Sequence, residues 1–242
     1  MKIVHFATLS STNDYAKELL KKHKKIVVTA DYQTAGKGRR ANVWEGDFGN
    51  NVYLTYALNH YKPLHYRDAS LFQALGCLAV LNTLRRTGEN IFRLKYPNDV
   101  YAIQNGEQKK ISGVLTEHGF IGDLCTYSIV GIGVNINQTE FPGALSQKAT
   151  SAKLLGINIS VEEITNMIIE ELQKLEQLSF EDIYKNWKTE LSITNKKISI
   201  RDKPGEWTAL EVLNDGRLSL QNKISGEFLV IDNGDSVFYD LS

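Results

Sequence analysis

The sequence predicts an α+β fold in two parts: strands mixed with helices through about residue 191, then a small all-β unit. Three observations carry this. Through residue 137, apolar runs of strand length alternate with polar turns, broken by one long helical stripe. Two helical patterns follow between 160 and 191, the first opened by a capping box. Beyond residue 192, short alternating segments are separated by Gly, Asn and Pro turns. At 242 residues, the chain supports one large core or a large domain with a small one.

Residues 3–6 read as a short strand. Ser10-Ser11-Thr12-Asn13-Asp14 follows, a cluster of capping residues ahead of a helix over 15–22. The cluster has more polar groups than one cap uses, and the surplus is free to hydrogen-bond a ligand at the helix N-terminus. Residues 21–25, with His23, read as a solvated helix end favoured by the macrodipole. A buried strand over 26–30 then runs into Gln33-Thr34-Ala35-Gly36-Lys37-Gly38-Arg39-Arg40-Ala41-Asn42-Val43-Trp44. Two glycines let backbone N–H groups turn into one concavity, cations follow, and an indole closes the stretch. Such a set suits a phosphorylated, base-bearing ligand; it reads equally as a basic surface turn.

Residues 51–58 are a strand, and 68–86 a long helix whose Leu71, Leu75, Leu78 and Leu81 or Leu84 define a core face. Gly76 and Cys77 imply close packing of that helix on a sheet. A strand over 91–95 is broken by Tyr96-Pro97-Asn98-Asp99, because proline restricts its predecessor and cannot donate to a ladder. Asn98 and Asp99 therefore sit at a bend, pointing into a cleft or simply completing a turn. Residues 100–103 and 109–118 form a hairpin. Alternation puts Lys110, Ser112 and Val114 on one face, with Ile111 and Lys109 on the other, so at most one lysine enters a shared site. Gly113 marks a bulge or a close backbone approach. Glu117 and His118 face apart, and His118 reads as a strand-end surface residue.

Residues 125–136 form a central strand carrying Gly131 and Gly133, followed by Asn135 and Asn137. Two strand glycines imply that something planar lies against the backbone, and an asparagine amide matches an adenine edge. A Rossmann loop is excluded, since a third glycine and a following helix start are missing. Ser160 and Glu163 form a capping box before the stripe Ile164, Met167, Ile168, Leu172 and Leu175. A further helix spans 180–191, with Trp187 as packing. Strands at 198–200, 207–213, 217–220, 227–231 and 236–239 alternate with Pro204-Gly205, Asn214-Asp215-Gly216, Ser225-Gly226 and Asn233-Gly234. A barrel or sandwich of about fifty residues results, small enough to lean on the main domain.

Lys plus Arg and Asp plus Glu both number 28, so binding to nucleic acid or membrane through bulk charge is not expected. A local basic cluster in a neutral chain points to a small anionic ligand. Cys77 and Cys125, far apart among apolar neighbours, read as buried free thiols in a reducing compartment. The N-terminus lacks a signal-length apolar core and no run reaches membrane-spanning length, so a soluble cytoplasmic protein is expected.

Five spaced segments together resemble the biotin protein ligase family: Ser11-Thr12-Asn13; Gly36-Lys37-Gly38-Arg39-Arg40, with Gln33 before it and Trp44 after; Lys95-Tyr96-Pro97-Asn98-Asp99; Lys110-Ile111-Ser112-Gly113; and Gly131-Ile132-Gly133-Val134-Asn135. Their order over residues 10–137 and the small C-terminal β unit both fit. Three positions depart. Lys37 and Ala41 stand in the family's Gly-Arg-Gly-Arg-Arg-Gly, where Lys37 keeps the charge but loses the bidentate fork and Ala41 restricts the loop's backbone. Tyr96 replaces the tryptophan of Lys-Trp-Pro-Asn-Asp.

The resemblance implies a mixed central sheet with helices, the biotin/lipoate ligase-like catalytic domain, over residues 1–191. It implies a small SH3-like β-barrel over 192–242. The chain starts at the catalytic strand, without a winged-helix DNA-binding domain, so it is expected to ligate and not to regulate. The implied reaction joins biotin to MgATP as biotinyl-5′-AMP, then transfers biotin to a lysine of a biotin carboxyl carrier domain. Lys110, Arg39 and Asp99 are the expected catalytic residues. Ser11, Thr12, Asn13, Gln33, Gly36, Lys37, Gly38, Arg39, Lys110 and Gly113 are expected to bind biotin. Arg39, Arg40, Trp44, Asn98, Lys110, Gly133 and Asn135 are expected at the ATP or adenylate, and Asp99 at Mg²⁺. The implied partner is the carrier domain; DNA and membrane are not expected, and a homodimer is left open. Two alternatives stand beside this: a lipoate or octanoate ligase, which would leave the polar Ser-Thr-Asn and Gln33 set unpaired, and a non-catalytic binder of an adenylated metabolite.

Overall fold

The computed structural model describes residues 1–88, 90–201, 203–232 and 234–241. Strands β1 (Lys2–Leu9), β2 (Lys25–Gln33), β3 (Asn51–His65), β4 (Phe92–Lys95), β5 (Asp99–Gln104), β6 (Glu107–Ile121) and β7 (Leu124–Asn135) form one sheet in the order β1-β2-β3-β7-β6-β5-β4. β1 and β2 run parallel and the remaining pairs antiparallel, so the sheet is mixed. Helix α1 (Thr12–Leu20) covers one face, burying Ala16 and Leu20 on Ile26, Val28, Ala57 and Ile129. Helices α2 (Leu71–Arg85), α3 (Val161–Leu175) and α4 (Phe180–Leu191) cover the other. The expected leucine stripe of α2 is buried, but so are Ala74, Cys77, Ala79 and Val80, because the helix lies between the sheet and the two following helices. At Gly76 even a methyl group would press on Val114 and Val130, which is why the helix seats so closely.

Several local readings shift. α1 begins at Thr12, with Ser11 as N-cap, because the polar side chains of its first turn are used in tertiary contacts and not as local caps. Lys25 is not part of a solvated helix end: it opens β2 and holds the Glu176 carboxylate at 2.5 and 2.6 Å. Along β6 the register passes from Val100↔Ser112 to Tyr101↔Lys110, so Ile111 is an extra residue in a bulge. The expected shared face of Lys110, Ser112 and Val114 is therefore broken. Lys110 reaches towards Gly113, whereas Val114 packs beneath α2. His118 is half-buried within β6, not a strand-end surface residue; its Nδ1 lies 2.9 Å from Ser128 Oγ, which also meets His60 Nε2 at 2.9 Å. Both cysteines are free and buried, and burial pushes the Cys77 thiol up to about 12.

The C-terminal strands β8 (Lys197–Ile200), β9 (Lys203–Val212), β10 (Leu218–Asn222), β11 (Phe228–Ile231) and β12 (Val237–Phe238) form an antiparallel sheet ordered β11-β10-β9-β8-β12. Pro204 and Gly205, expected in a turn, lie within β9. Asn233, half of the expected Asn233-Gly234 turn, lies outside the described residues. Trp207, Leu218, Leu220 and Val237 join the same apolar core as α2 and α4, so the second sheet shares its interior with the first. Among the described residues, no helix is long and apolar enough to cross a membrane.

Candidate active site

The site lies on the α1 face of the main sheet, over β6 and β7. Its floor is glycine. Gly113 and Gly133 face each other across the β6–β7 ladder, and Gly131 lies one step along. A Cβ at Gly133 would collide with the Trp44 indole, and one at Gly131 with the Asn13 amide. A Cβ at Gly113 would press on both Lys110 Nζ and the indole. The three strand glycines thus admit side chains arriving from other elements, as close backbone approach requires.

At one end of the floor, polar side chains converge. Gln33 Oε1 accepts from the Thr12 amide at 2.7 Å and the Thr12 hydroxyl at 2.9 Å. The Thr55 hydroxyl stands 2.8 Å from Thr12 Oγ1 and 2.7 Å from Asn13 Oδ1. Asn13 Nδ2 in turn donates to Glu117 Oε1 at 2.8 Å. Ser11 is buried beside them, and its side chain makes no capping bond. The surplus polarity of this segment is therefore real and aimed into the fold.

At the other end lie the charges. Lys110 Nζ stands 2.7 Å from Asp99 Oδ1 and 5.5 Å from the centre of the Trp44 ring. Asp99 starts β5 opposite Gly113, two residues past the proline of the cis Tyr96–Pro97 bond, and its side chain is only 14% exposed. The buried Asn98 donates to the Val114 carbonyl at 3.0 Å and accepts from Arg39 Nη1 at 3.1 Å. Arg39 Nη2 also donates to the Asp232 carbonyl of the second sheet's last loop, at 3.1 Å. Lys109 turns the other way and pairs with Glu107 at 2.6 Å.

The segment from Gln33 to Trp44 folds over this floor as a narrow loop. Lys37 and Val43 bridge; the Gly38 N–H donates to the Asn42 carbonyl at 2.7 Å, and the Trp44 N–H to Gly36 at 3.0 Å. The tip, Arg39–Ala41, is a 3₁₀ turn. The left-handed residue is Arg40, with φ of 54°, and neither loop glycine has a positive φ. Gly36 is needed for a different reason, since a Cβ there would strike the Trp44 carbonyl. The expected concavity of free N–H groups is thus partly spent inside the loop. Lys37 pairs with Asp14 at 2.5 Å. Beneath the loop remains a cavity of about 110 Å³, well short of the ~300 Å³ from which small-molecule sites begin. A ligand with two bulky parts enters only if the loop and its indole swing away.

Of the expected residues, Ser11, Thr12, Asn13, Gln33, Lys37, Gly38, Arg39, Trp44, Asn98, Asp99, Lys110, Gly113 and Gly133 line this cavity. Gly36, Arg40 and Asn135 do not. Arg40 is half-exposed and points towards Asp232, at 3.9 Å. The Asn135 amide donates to the Thr150 carbonyl at 3.0 Å. Thr55, Glu117 and Asp232 were not anticipated. The first two stand where β3 and β6 pass Gly131 and Ile129 of β7, pairings that a strand's own sequence does not reveal. Among the described residues no group of three metal-ligating side chains exists. The site's carboxylate, Asp99, fits magnesium of the kind held by one or two carboxylates and substrate phosphates.

A model of the biotin/lipoate A/B protein ligase family matches residues 5–135. The chain is 35% identical over 153 residues to the bifunctional ligase/repressor BirA of Bacillus subtilis, covering 62% of this chain and 45% of that protein. It is 26% identical over 231 residues to the biotin–[acetyl-CoA-carboxylase] ligase of Mycobacterium tuberculosis, covering 88% and 78%. The chain thus spans about half the length of the BirA relatives it matches. A biotin protein ligase from Aquifex aeolicus, solved in complex with biotin and ATP, superposes with a TM-score of 0.70 at 25% identity, over 100% of this chain and 99% of that one. The family model takes in the first turn of α1, the loop over the glycine floor, the Asn98–Asp99 corner and Lys110, and on that match the chain belongs to the biotin/lipoate A/B protein ligase family.

Proposed function

We propose that this protein activates biotin with MgATP to biotinyl-5′-AMP and transfers the biotinyl group to a lysine of a biotin carboxyl carrier domain, with residues 1–191 as the catalytic part. One observation carries the reading: a buried polar cluster at one end of a glycine floor faces a lysine–aspartate pair and an indole at the other. A ureido ring offers one acceptor and two donors, which suits Ser11, Thr12 and Gln33. An aliphatic acid would leave that polar end unmatched, which disfavours the lipoate reading.

In the first step a biotin carboxylate oxygen bonds to the α-phosphorus of ATP and pyrophosphate leaves. Two anions must approach each other, so fixed positive charge aimed at the phosphorane-like transition state is the main requirement. Lys110 and Arg39 supply it, Lys110 by exchanging its bond to Asp99 for one to the ligand oxygens. Asp99, with Asn98 beside it, would hold magnesium, which neutralises phosphate charge when bound. In the second step the acceptor amine attacks the acyl carbon, AMP leaves, and Asp99, freed from Lys110, orients the incoming ammonium or takes its proton. The closed loop keeps water from the anhydride.

Exchange of labelled pyrophosphate into ATP tests this directly. Biotin should support exchange, and lipoate or octanoate should not. Exchange with lipoate alone would make the protein a lipoate-type ligase, and no exchange with any acid would make it a binding protein.

A further inference from the structure

We infer that Glu117 is a specificity-setting positioning residue, which acts on the biotin head through Asn13 and Thr55 without touching the ligand; this rests on the biotin reading above. Glu117 stands on β6, half-buried, with its Oε1 2.8 Å from Asn13 Nδ2. A carboxylate only accepts, so it fixes which way the Asn13 amide faces: Nδ2 towards Glu117 and Oδ1 towards Thr55. Thr55 is fully buried and has one hydroxyl proton within reach of two acceptors, Asn13 Oδ1 at 2.7 Å and Thr12 Oγ1 at 2.8 Å. The Thr12 hydroxyl proton is already committed to Gln33 Oε1 at 2.9 Å.

This arrangement has a chemical outcome at Thr12, which lines the cavity. When a ligand N–H arrives, the Thr55 proton settles on Asn13 Oδ1 and leaves a Thr12 lone pair open to accept. If the Asn13 amide turned over, its NH₂ would face Thr55, and the Thr55 proton would have only Thr12 to go to. Thr12 would then be a poorer acceptor, and a head group bearing N–H would lose its advantage over one bearing oxygen at the same place. Gly131 makes room for the amide, which lies directly over that Cα, where a side chain would collide with it. Glu117 therefore sets donor and acceptor polarity from the far side of the network.

Glu117→Gln is the direct test, since it keeps shape and allows either amide orientation. Calorimetric titration should use biotin and a cyclic carbamate analogue, in which one ring N–H is an oxygen. Glu117→Gln should weaken biotin binding about ten-fold or more and the carbamate by less than about three-fold. The KM for ATP and kcat at saturating biotin should stay within about two-fold of wild type. Thr55→Val, which deletes the shared proton at constant shape, leaves the Thr12 lone pair open and should hold biotin binding within about three-fold of wild type. Glu117→Gln added to Thr55→Val should then have no further effect, because one acts through the other. Equal losses for the two ligands, an additive double variant, or undiminished biotin binding in Glu117→Gln would each overturn the inference while leaving the ligase reading in place. A wild-type protein that binds no biotin would overturn both.

Discussion

Lys110 owes its place in the site to one extra residue. The bulge at Ile111 turns the side chain of Lys110 onto the same side as Gly113, within reach of Asp99, while Ile111 drops into the core. That Lys109 and Lys110 face apart follows from strand alternation and was legible in the sequence; which neighbours Lys110 joins was not, since a bulge is set by the partner strand. Removing one preorganised charge from a developing anion costs on the order of 3 kcal/mol. Lys110→Ala should therefore slow biotin-dependent pyrophosphate exchange by about a hundred-fold or more, and Lys109→Ala by less than about two-fold; comparable losses would contradict the facing argument. His118 carries a second residue-scale expectation. Burial, with His60 close by, holds its pKa down at about 4. Because the folded value lies below the ordinary 6.5, the unfolded chain takes up the proton first as the pH falls. The stabilisation is complete above about pH 6.5 and is lost towards pH 4, a change on the order of 2–3 kcal/mol. Melting temperatures recorded from pH 4 to 7.5 should fall more steeply on the acid side for wild type than for His118→Gln. Parallel curves would remove His118 as the cause.

At the scale of elements, the loop over the glycine floor shows how composition and conformation part company. Its cations and indole were readable, and so was the need for glycine. What was hidden is the pattern of use: Gly36 serves a close approach to the Trp44 backbone, and the left-handed turn falls on Arg40. The sequence alone treats the loop as an open concavity. Its hydrogen bonds instead close it on itself, with the Trp44 ring set between Lys110 and the paired Gly113 and Gly133. Among the described residues, the buried Trp44 Nε1 meets no hydrogen-bond partner. Base-on-aromatic stacking is worth about 1–3 kcal/mol. Trp44→Ala should thus weaken ATP binding by about ten-fold or more in a titration, and biotin binding by less. The reverse ranking would withdraw the adenine-stacking role.

For the whole molecule, the alternating texture beyond residue 192 announced a second sheet, but not how it is fastened. The fastening runs through Tyr96, the residue that departs from the family's tryptophan. Its phenol lies 2.9 Å from the Gly216 carbonyl and 3.2 Å from that of Ile231, and its backbone N–H donates to the Tyr239 hydroxyl at 2.8 Å. Gly234 packs on Tyr96 and Pro97 so tightly that a Cβ would collide with them. Arg39 reaches Asp232 from the loop side, so the same corner touches the lid. These contacts join residues more than a hundred positions apart, and no local pattern encodes them. Because Trp207, Leu218 and Leu220 also share the core of α2 and α4, the two sheets should unfold together. Tyr239→Phe leaves the buried Tyr96 N–H without its acceptor, at a cost of about 1–3 kcal/mol. Denaturant unfolding should then show a lower midpoint and an unchanged slope, still in one transition. A split into two transitions would mean that this hydrogen bond, and not the shared apolar core, is what couples the second sheet to the first.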